Sequence, residues 1–206
     1  MIQNLLIDLG GVIMDIRRTD CVKAFKELGF DSVDRYLNDF SQTGPFELLE
    51  EGRIGPDEFR RSLRSLMPEE VTDAQIDEAF EKFLVGIPVG RLHELRQLRS
   101  MGLGLYLLSN TNPIMWNGKI KSEFAKEGRR CEDYFDGILT SFEAGVQKPE
   151  PAIFKMARDR FNLDPATTLF IDDSQANLDA AEALGFRTLL AVPGKEFGKL
   201  VEKKLQ

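Results

Sequence analysis

Cysteine is scarce in this sequence: Cys21 and Cys131 are the only two, and they lie far apart along the chain. Two thiols are too few for a disulfide framework, and neither has the neighbouring Cys or His that a zinc site needs. Both read as filler, and a reducing cytoplasm is the expected compartment. Histidine is scarcer still, because His93 stands alone in an amphipathic segment around Leu92 and Leu95, where packing or exposure suits it better than work as a catalytic base. Basic charge is not in excess: 27 Lys and Arg face 34 Asp and Glu, a formal net charge of −7. Such a chain has no basic patch with which to follow a phosphate backbone, so no nucleic-acid partner is expected. Long apolar runs are missing as well. Asp8 interrupts the first one, no basic region precedes it, and nothing approaches the ~18 continuous apolar residues of a membrane span. Neither export nor membrane insertion is expected. Internal repeats and low-complexity segments are absent.

What the sequence does contain is a globular composition, 42% hydrophobic and 30% charged over 206 residues. That suffices for one domain, or for a core domain carrying a smaller insertion. Five short apolar runs end in turn-forming or polar residues and predict strands: Asn4–Asp8 before Gly10-Gly11, Gly104–Leu108 before Ser109-Asn110-Thr111, Gly137–Thr140 before Ser141, Thr168–Ile171 before Asp172-Asp173, and Thr188–Val192 before Pro193. Helical patterns over Pro88–Ser100, Pro151–Phe161 and Ser174–Leu184 alternate with them, the last stopped by Gly185. Alternation of this kind predicts an α/β fold whose parallel sheet is covered on both faces. Between about Ile16 and Gly86 the pattern changes to amphipathic helices (Asp20–Leu28, Ser32–Phe40, Pro56–Leu66, Asp73–Leu84) with no convincing strand. Gly44-Pro45, Gly55-Pro56 and an N-cap at Thr72 separate them. This reads as a helical lobe, 16–86, inserted into a core made of 1–15 and 87–206. A charged last helix is expected after Gly194.

In an open parallel sheet, ligands sit beyond the carboxyl ends of the strands where strand order reverses. Three of the five strands end in groups suited to a phosphate and a divalent metal: Asp8, the Ser109-Asn110-Thr111 set, and Asp172-Asp173. Taken singly, Asp8 reads equally well as a turn residue, and Ser109 to Thr111 before Asn112-Pro113 as turn and cap chemistry. The adjacent Asp172 and Asp173 are harder to dismiss, since paired carboxylates at the end of an apolar strand repel one another unless a cation or protons compensate. Capping of the next helix by Asp173 is the competing reading. Lys148, just ahead of a helix that starts near Pro149, faces the unfavourable end of the helix dipole, which a nearby anion would relieve; alone it reads as a solvated lysine.

Together, Leu6-Ile7-Asp8-Leu9-Gly10-Gly11-Val12, Leu107-Leu108-Ser109-Asn110, Gln147-Lys148-Pro149-Glu150-Pro151 and Phe170-Ile171-Asp172-Asp173-Ser174 resemble, in order and over nearly the whole chain, the haloacid dehalogenase-like hydrolases. The resemblance implies a Rossmann-like, three-layer parallel-sheet core with a helical cap inserted after the first strand. The stretch Phe46–Phe59, containing Glu50-Glu51-Gly52-Arg53-Ile54, is similar to the cap of sugar-phosphate phosphatases, in particular those of α-glucose 1-phosphate. By resemblance, Asp8 is the nucleophile that forms an aspartyl-phosphate. Mg2+ is held by Asp8, the Gly10 carbonyl and Asp173, with Asp172 as a further ligand or just behind. Ser109 and Lys148 bind the transferring phosphoryl group, with Asn110 and the amides near it and Leu9 completing the cradle. The implied partner is a small phosphorylated substrate, handled by a monomer or homodimer, with the cap closing on hinges near Ile16 and Pro88.

One position departs from the family pattern. Most phosphatases of this superfamily carry a second aspartate two residues after the nucleophile, to protonate the leaving oxygen; here that residue is Gly10. Losing a general acid costs about 10² to 10⁴ in rate, which favours a phosphate with an acidic leaving group, such as glucose 1-phosphate. Asp15, Glu47 and Glu51 are the surrogates that the sequence suggests. Two other readings stand beside the phosphatase: carbon–halogen hydrolysis without metal, and a sensor or binding protein that has lost turnover through Gly10.

Overall fold

The structure, a computed structural model, describes residues 1–37 and 42–205. Its main sheet has five parallel strands in the order β5-β4-β1-β6-β7. These are β1 (Asn4–Ile7), β4 (Gly104–Ser109), β5 (Gly137–Thr140), β6 (Thr168–Asp172) and β7 (Arg187–Leu190). β1 is central because both its faces are covered: Leu5, Leu6 and Ile7 are fully buried, and a strand without a polar face has no place at an edge. It pairs with β4 on one side and β6 on the other, Ile7 lying level with Leu107 and Ile171. Strand order therefore reverses around β1, and the ends of β4 and β6 flank Asp8.

Alternate residues of the strands feed two cores. Leu6, Leu108 and Phe170 pack against Ile153, Phe154 and Ala157 of α9 (Pro151–Phe161) and Leu178 and Ala181 of α10 (Gln175–Glu182). Leu5, Ile7, Leu105 and Ile171 point the other way, to Leu92, Leu95 and Leu98 of α5 (Val89–Ser100) and Val201 of α11 (Gly198–Leu205). The result is the expected three-layer, Rossmann-like α/β core, including the expected last helix.

The second core continues into the helical lobe, where α1 (Arg18–Glu27), α2 (Pro45–Glu50), α3 (Pro56–Arg64) and α4 (Asp73–Glu81) surround Phe25, Phe30, Phe46, Phe59 and Phe80, all fully buried. Phe46 is the hub, edge-on to both Phe59 and Phe80 with ring centres 5.0 Å apart. Thr72 and Gln75 form a capping box that starts α4, and Arg60 of α3 grips Asp77 of α4 through two hydrogen bonds of 2.9 and 2.7 Å. Glu81, the last residue of α4, accepts a hydrogen bond of 3.0 Å from the amide of Lys119 in the core, which pins the lobe down.

Several sequence expectations are corrected. Two strands exist where none was expected between 16 and 86: β2 (Asp15–Ile16) and β3 (Leu84–Gly86) pair antiparallel as the stem of the lobe. They are too short to show a period of two, so only their pairing defines them. α4 accordingly stops at Glu81, short of Leu84. In the Ser32–Phe40 segment the described residues form one 3-10 turn, Val33–Arg35; 38–40 lie outside the described residues. Helices over Pro45–Glu50 and Pro113–Phe124 were not expected. The latter comprises α6 (Pro113–Met115), a π turn over Trp116–Ile120 and α7 (Lys121–Phe124), and a widened turn of this kind breaks the 3.6-residue spacing by which helices are read. A short α8 (Ser141–Ala144) follows β5.

No described helix is long and apolar enough to cross a membrane. Cys21 and Cys131 are buried and unpaired; burial pushes the Cys21 thiol up to about 12 and raises that of Cys131 as well. His93 is exposed and contacts Glu127 at 2.8 Å. Phe46→Ala removes the hub of the lobe's core and is expected to cost about 3–5 kcal/mol, read as a lower urea midpoint with secondary structure retained before unfolding.

Candidate active site

Asp8 follows β1 directly. Its amide still donates to the Ile171 carbonyl at 2.9 Å, so sheet pairing carries the chain one residue past the strand and delivers the side chain to the carboxyl edge. The chain then turns at Gly10-Gly11. Gly11 has φ +75°, and a Cβ there would lie 2.0 Å from Oδ2 of Asp173, so glycine is required by both backbone conformation and space. Ser109 ends β4 and Asp172 ends β6. Lys148 comes from the loop between α8 and α9. Asn110 holds it by a double contact: its Nδ2 donates to the Lys148 carbonyl and its Oδ1 accepts from the Lys148 amide, both at 2.9 Å.

At the centre, the Lys148 ammonium donates to Asp8 Oδ1 at 2.5 Å and to Asp172 Oδ2 at 2.7 Å. All three side chains are nearly sealed, at 2%, 10% and 0% exposure. Burial works against the Lys148 charge, but the Asp172 and Asp8 carboxylates outweigh it and push the ammonium up to about 12. Burial also lifts Asp8 to about 7; Lys148 pulls it down, while Asp172 and Asp173 push it further up. Asp173, less enclosed, rises to about 6 through burial and its neighbour Asp172. An excess of carboxylate over ammonium in a low-dielectric pocket is what a site evolved for a further cation displays.

The donors for such a cation can be distinguished. Asp8, Asp172 and Asp173 each offer a carboxylate oxygen within 4.8 Å of the others. Both oxygens of Asp172 are already occupied: Oδ1 accepts from the Ser174 amide at 2.8 Å and from Asn177 at 3.0 Å, and Oδ2 from Lys148 and from Asn177 at 3.1 Å. Asp173 has no ion pair and no side-chain hydrogen bond among the described residues, and the Gly10 carbonyl accepts none of their backbone hydrogen bonds. The open donors are thus Asp8, Asp173 and Gly10, a hard-oxygen set that fits Mg2+. Asp172 stands behind them as the partner of Lys148.

These groups open into one cavity, lined also by Leu9, Ser109, Asn110, Thr111 and Ser174 on the core side and by Ile16, Gln42, Glu50, Phe80, Phe83 and Leu84 on the lobe and its stem. The structure brings together all the site residues expected from sequence. The Asn110 side chain is committed to Lys148, so within the cradle only its backbone remains for a ligand. Sequence reasoning missed three residues. Asn177 sits five positions after Asp172 on the first turn of α10, a spacing that points its amide back at the strand end, and this was readable in principle. Gln42 and Glu50 were not, since they belong to a lobe whose docking no local pattern specifies. The suggested surrogates for the absent aspartate lie elsewhere: Asp15 pairs with Arg91 at 2.8 Å, Glu51 with Arg53 at 2.8 Å, and Glu47 does not line the cavity.

Residues 2–185 match the haloacid dehalogenase-like hydrolase family. The chain is 37% identical over 197 residues to a D-ribitol-5-phosphate phosphatase of Bacteroides thetaiotaomicron, covering 96% of this chain and 95% of that one. Among solved structures it is similar to a HAD family enzyme of the same organism, crystallised as the wild-type protein with magnesium and inorganic phosphate, with TM-score 0.90 and 41% identity over 97% of this chain and 99% of that one. It shares a fold, at 20% identity and TM-score 0.63 over 100% and 99% of the two chains, with an L-2-haloacid dehalogenase. The chain belongs to the haloacid dehalogenase-like hydrolase family.

Lys148→Met leaves Asp8 and Asp172 buried without their counter-ion. Removing one partner of a buried ionic cluster typically costs 3–5 kcal/mol, so a loss of about that size is expected in chemical denaturation.

Proposed function

We propose that the protein is a Mg2+-dependent phosphatase that releases phosphate from a small phosphorylated sugar or polyol through an aspartyl-phosphate on Asp8. The observation that carries this reading is the division of labour among the acids: Lys148 neutralises Asp8 and Asp172 together, while Asp173 points into the same cavity with no partner among the described residues. A site for an uncharged or singly charged substrate has no use for that extra open carboxylate; a site for a phosphate dianion beside a metal does.

Mg2+ held by Asp8, the Gly10 carbonyl and Asp173 would supply the positive charge that lets a carboxylate approach a phosphate. The remaining roles fall to side chains. Lys148, fixed through Asn110, keeps one Asp8 oxygen oriented and presents positive charge to the phosphoryl group. The Ser109 hydroxyl, whose one hydrogen bond among the described residues is a long 3.4 Å one to the Asn110 carbonyl, is available to a phosphoryl oxygen. The amides of Leu9 and Asn110, which donate to no other backbone group among the described residues, complete a cradle. An Asp8 oxygen attacks phosphorus and the bond to the leaving oxygen breaks. Water then attacks the acyl phosphate, releasing inorganic phosphate and restoring Asp8.

Two substrates sharpen this reading. Glucose 1-phosphate follows from the absent aspartate at Gly10, because an anomeric leaving group depends less on a proton. Ribitol 5-phosphate follows from the relative 37% identical over 197 residues. Both are polyhydroxy phosphates, and the cavity supports that class by setting the polar Gln42 and Glu50 among apolar Phe80, Phe83 and Leu84. The dehalogenase reading is disfavoured by Asp173, which would repel a haloacid carboxylate.

Phosphate release from a panel including both esters and acetyl phosphate tests the proposal. Turnover is expected with Mg2+, abolition by chelator, recovery on adding Mg2+, and a fall of more than about 10³-fold for Asp8→Asn with unchanged folding. Inactivity toward the whole panel would leave the sensor reading standing; halide release that survives chelation would establish the dehalogenase.

A further inference from the structure

The aspartate that this family usually supplies for protonating the leaving group is glycine here, yet a different carboxyl, from the lobe, lines the same cavity as the nucleophile. Glu50 ends α2, is 8% exposed, and lines the cavity that holds Asp8 and Lys148. Among the described residues it has neither an ion pair nor a side-chain hydrogen bond, whereas its neighbour Glu51 is paired with Arg53. A buried, unpaired carboxylate is costly, and an apolar residue would pack there at no such cost. A buried carboxylic acid, by contrast, is a proton donor at the wall of an enclosed space.

The surroundings favour the neutral form. Burial pushes the Glu50 carboxyl up to about 8, with Glu47 and Glu51 adding to the rise, and the C-terminal end of α2 disfavours a negative charge. The same cavity is lined by Lys148, Asp8 and Asp173, and by the apolar Phe80 of α4. The position of Glu50 over the core is held by its own loop. Gly52, at φ +65°, lies so close to the Phe142 backbone that a Cβ would come within 2.1 Å of that carbonyl oxygen, and Gln147, next to Lys148, reaches Glu51 at 3.5 Å. Gln42, also 7% exposed and lining the cavity, has an Oε1 with no hydrogen-bond partner, a free acceptor for a substrate hydroxyl.

We infer that Glu50, acting from the helical lobe, is the catalytic acid that replaces the aspartate absent at Gly10. The inference rests on the phosphatase reading above. As the bond from phosphorus to the leaving oxygen breaks, its electron pair goes to that oxygen, which takes the Glu50 proton and departs as an alcohol. In the second step the Glu50 carboxylate takes a proton from the attacking water while the bond from phosphorus to Asp8 breaks, which regenerates the acid. An acid on the lobe also makes protonation conditional on the lobe lying over the core, and it removes the restriction to acidic leaving groups that Gly10 otherwise imposes.

Two ester types read this out: an alkyl phosphate, ribitol 5-phosphate, and acetyl phosphate, whose leaving group needs no proton. For Glu50→Gln, which keeps the shape and hydrogen-bonding reach but has no proton to give, kcat/KM, which ends at departure of the leaving group and so excludes the hydrolysis step shared by both esters, is expected to drop about 10²- to 10⁴-fold on the alkyl ester and less than about 10-fold on acetyl phosphate. Glu47→Gln is expected to leave the ratio of the two rates unchanged. Equal losses on both esters would reduce Glu50 to a binding residue and overturn the inference, as would an unchanged alkyl rate. The wild-type protein provides a check that needs no variant: kcat/KM across alkyl phosphates of graded leaving-group acidity is expected to vary little, and a steep rise with acidity would sink the assignment. If the wild type hydrolyses neither ester, the phosphatase reading itself fails, which is distinguishable from an active wild type whose rates ignore Glu50.

Discussion

One ammonium holds this site together. Lys148 reaches two carboxylates at 2.5 and 2.7 Å in an almost sealed environment, where a charge pair interacts several-fold more strongly than in water and an unpaired charge is correspondingly expensive. Because the lysine spans the ends of β1 and β6, it fixes the spacing of the two strand termini. The Asp8 carboxylate is therefore oriented before any ligand arrives. Asn110 locks the lysine's backbone from β4, so three neighbouring strand ends converge on one group.

The second constraint is an imbalance that Lys148 leaves uncorrected. Three carboxylates lie within 4.8 Å of one another around a single ammonium. Asn177 and the Ser174 amide complete the shell of Asp172, while Asp173 gets no such support and Gly11 keeps the space beside it clear. The residual negative charge favours a cation among these three carboxylates. Sheet topology supplies the setting: strand order reverses at β1, with Asp8 just beyond β1, Ser109 and Asp172 at the ends of β4 and β6, and Lys148 reaching them from the loop between α8 and α9.

Above this floor the lobe is a roof with its own core. Phe46 ties α2, α3 and α4 into one unit through ring contacts of 5.0 Å, Glu81 pins that unit to the π turn, and Gly52 lets the end of α2 lie against the Phe142 backbone. A lobe with its own core matters because it sets where Gln42 and Glu50 line the cavity shared with Asp8. The family's usual acid belongs to the floor; here the floor offers only the Gly10 carbonyl at that position.

Local sequence was enough to predict the five parallel strands and helices covering them, and it pointed to Asp8, Ser109, Asn110, Lys148, Asp172 and Asp173, which the structure brings together. Each of these rests on a pattern within a few residues: an apolar run that stops, a turn, a carboxylate pair. The short stem strands β2 and β3, the π turn, and the open or occupied state of each acid were decided only by the tertiary structure. Asp172 and Asp173 are indistinguishable as neighbours in a sequence; what separates them is Lys148 and Asn177 arriving from other elements. Likewise Glu47, Glu50 and Glu51 read alike on one stretch of chain, and only the packing of α2 on the core makes Glu50, and not the other two, a wall of the cavity that also holds Asp8. Periodicity reports which way a residue faces relative to its own helix or strand. The pairing of Lys148 with Asp8, 140 positions away in sequence, depends on the free energy of packing whole layers together, which no short window contains.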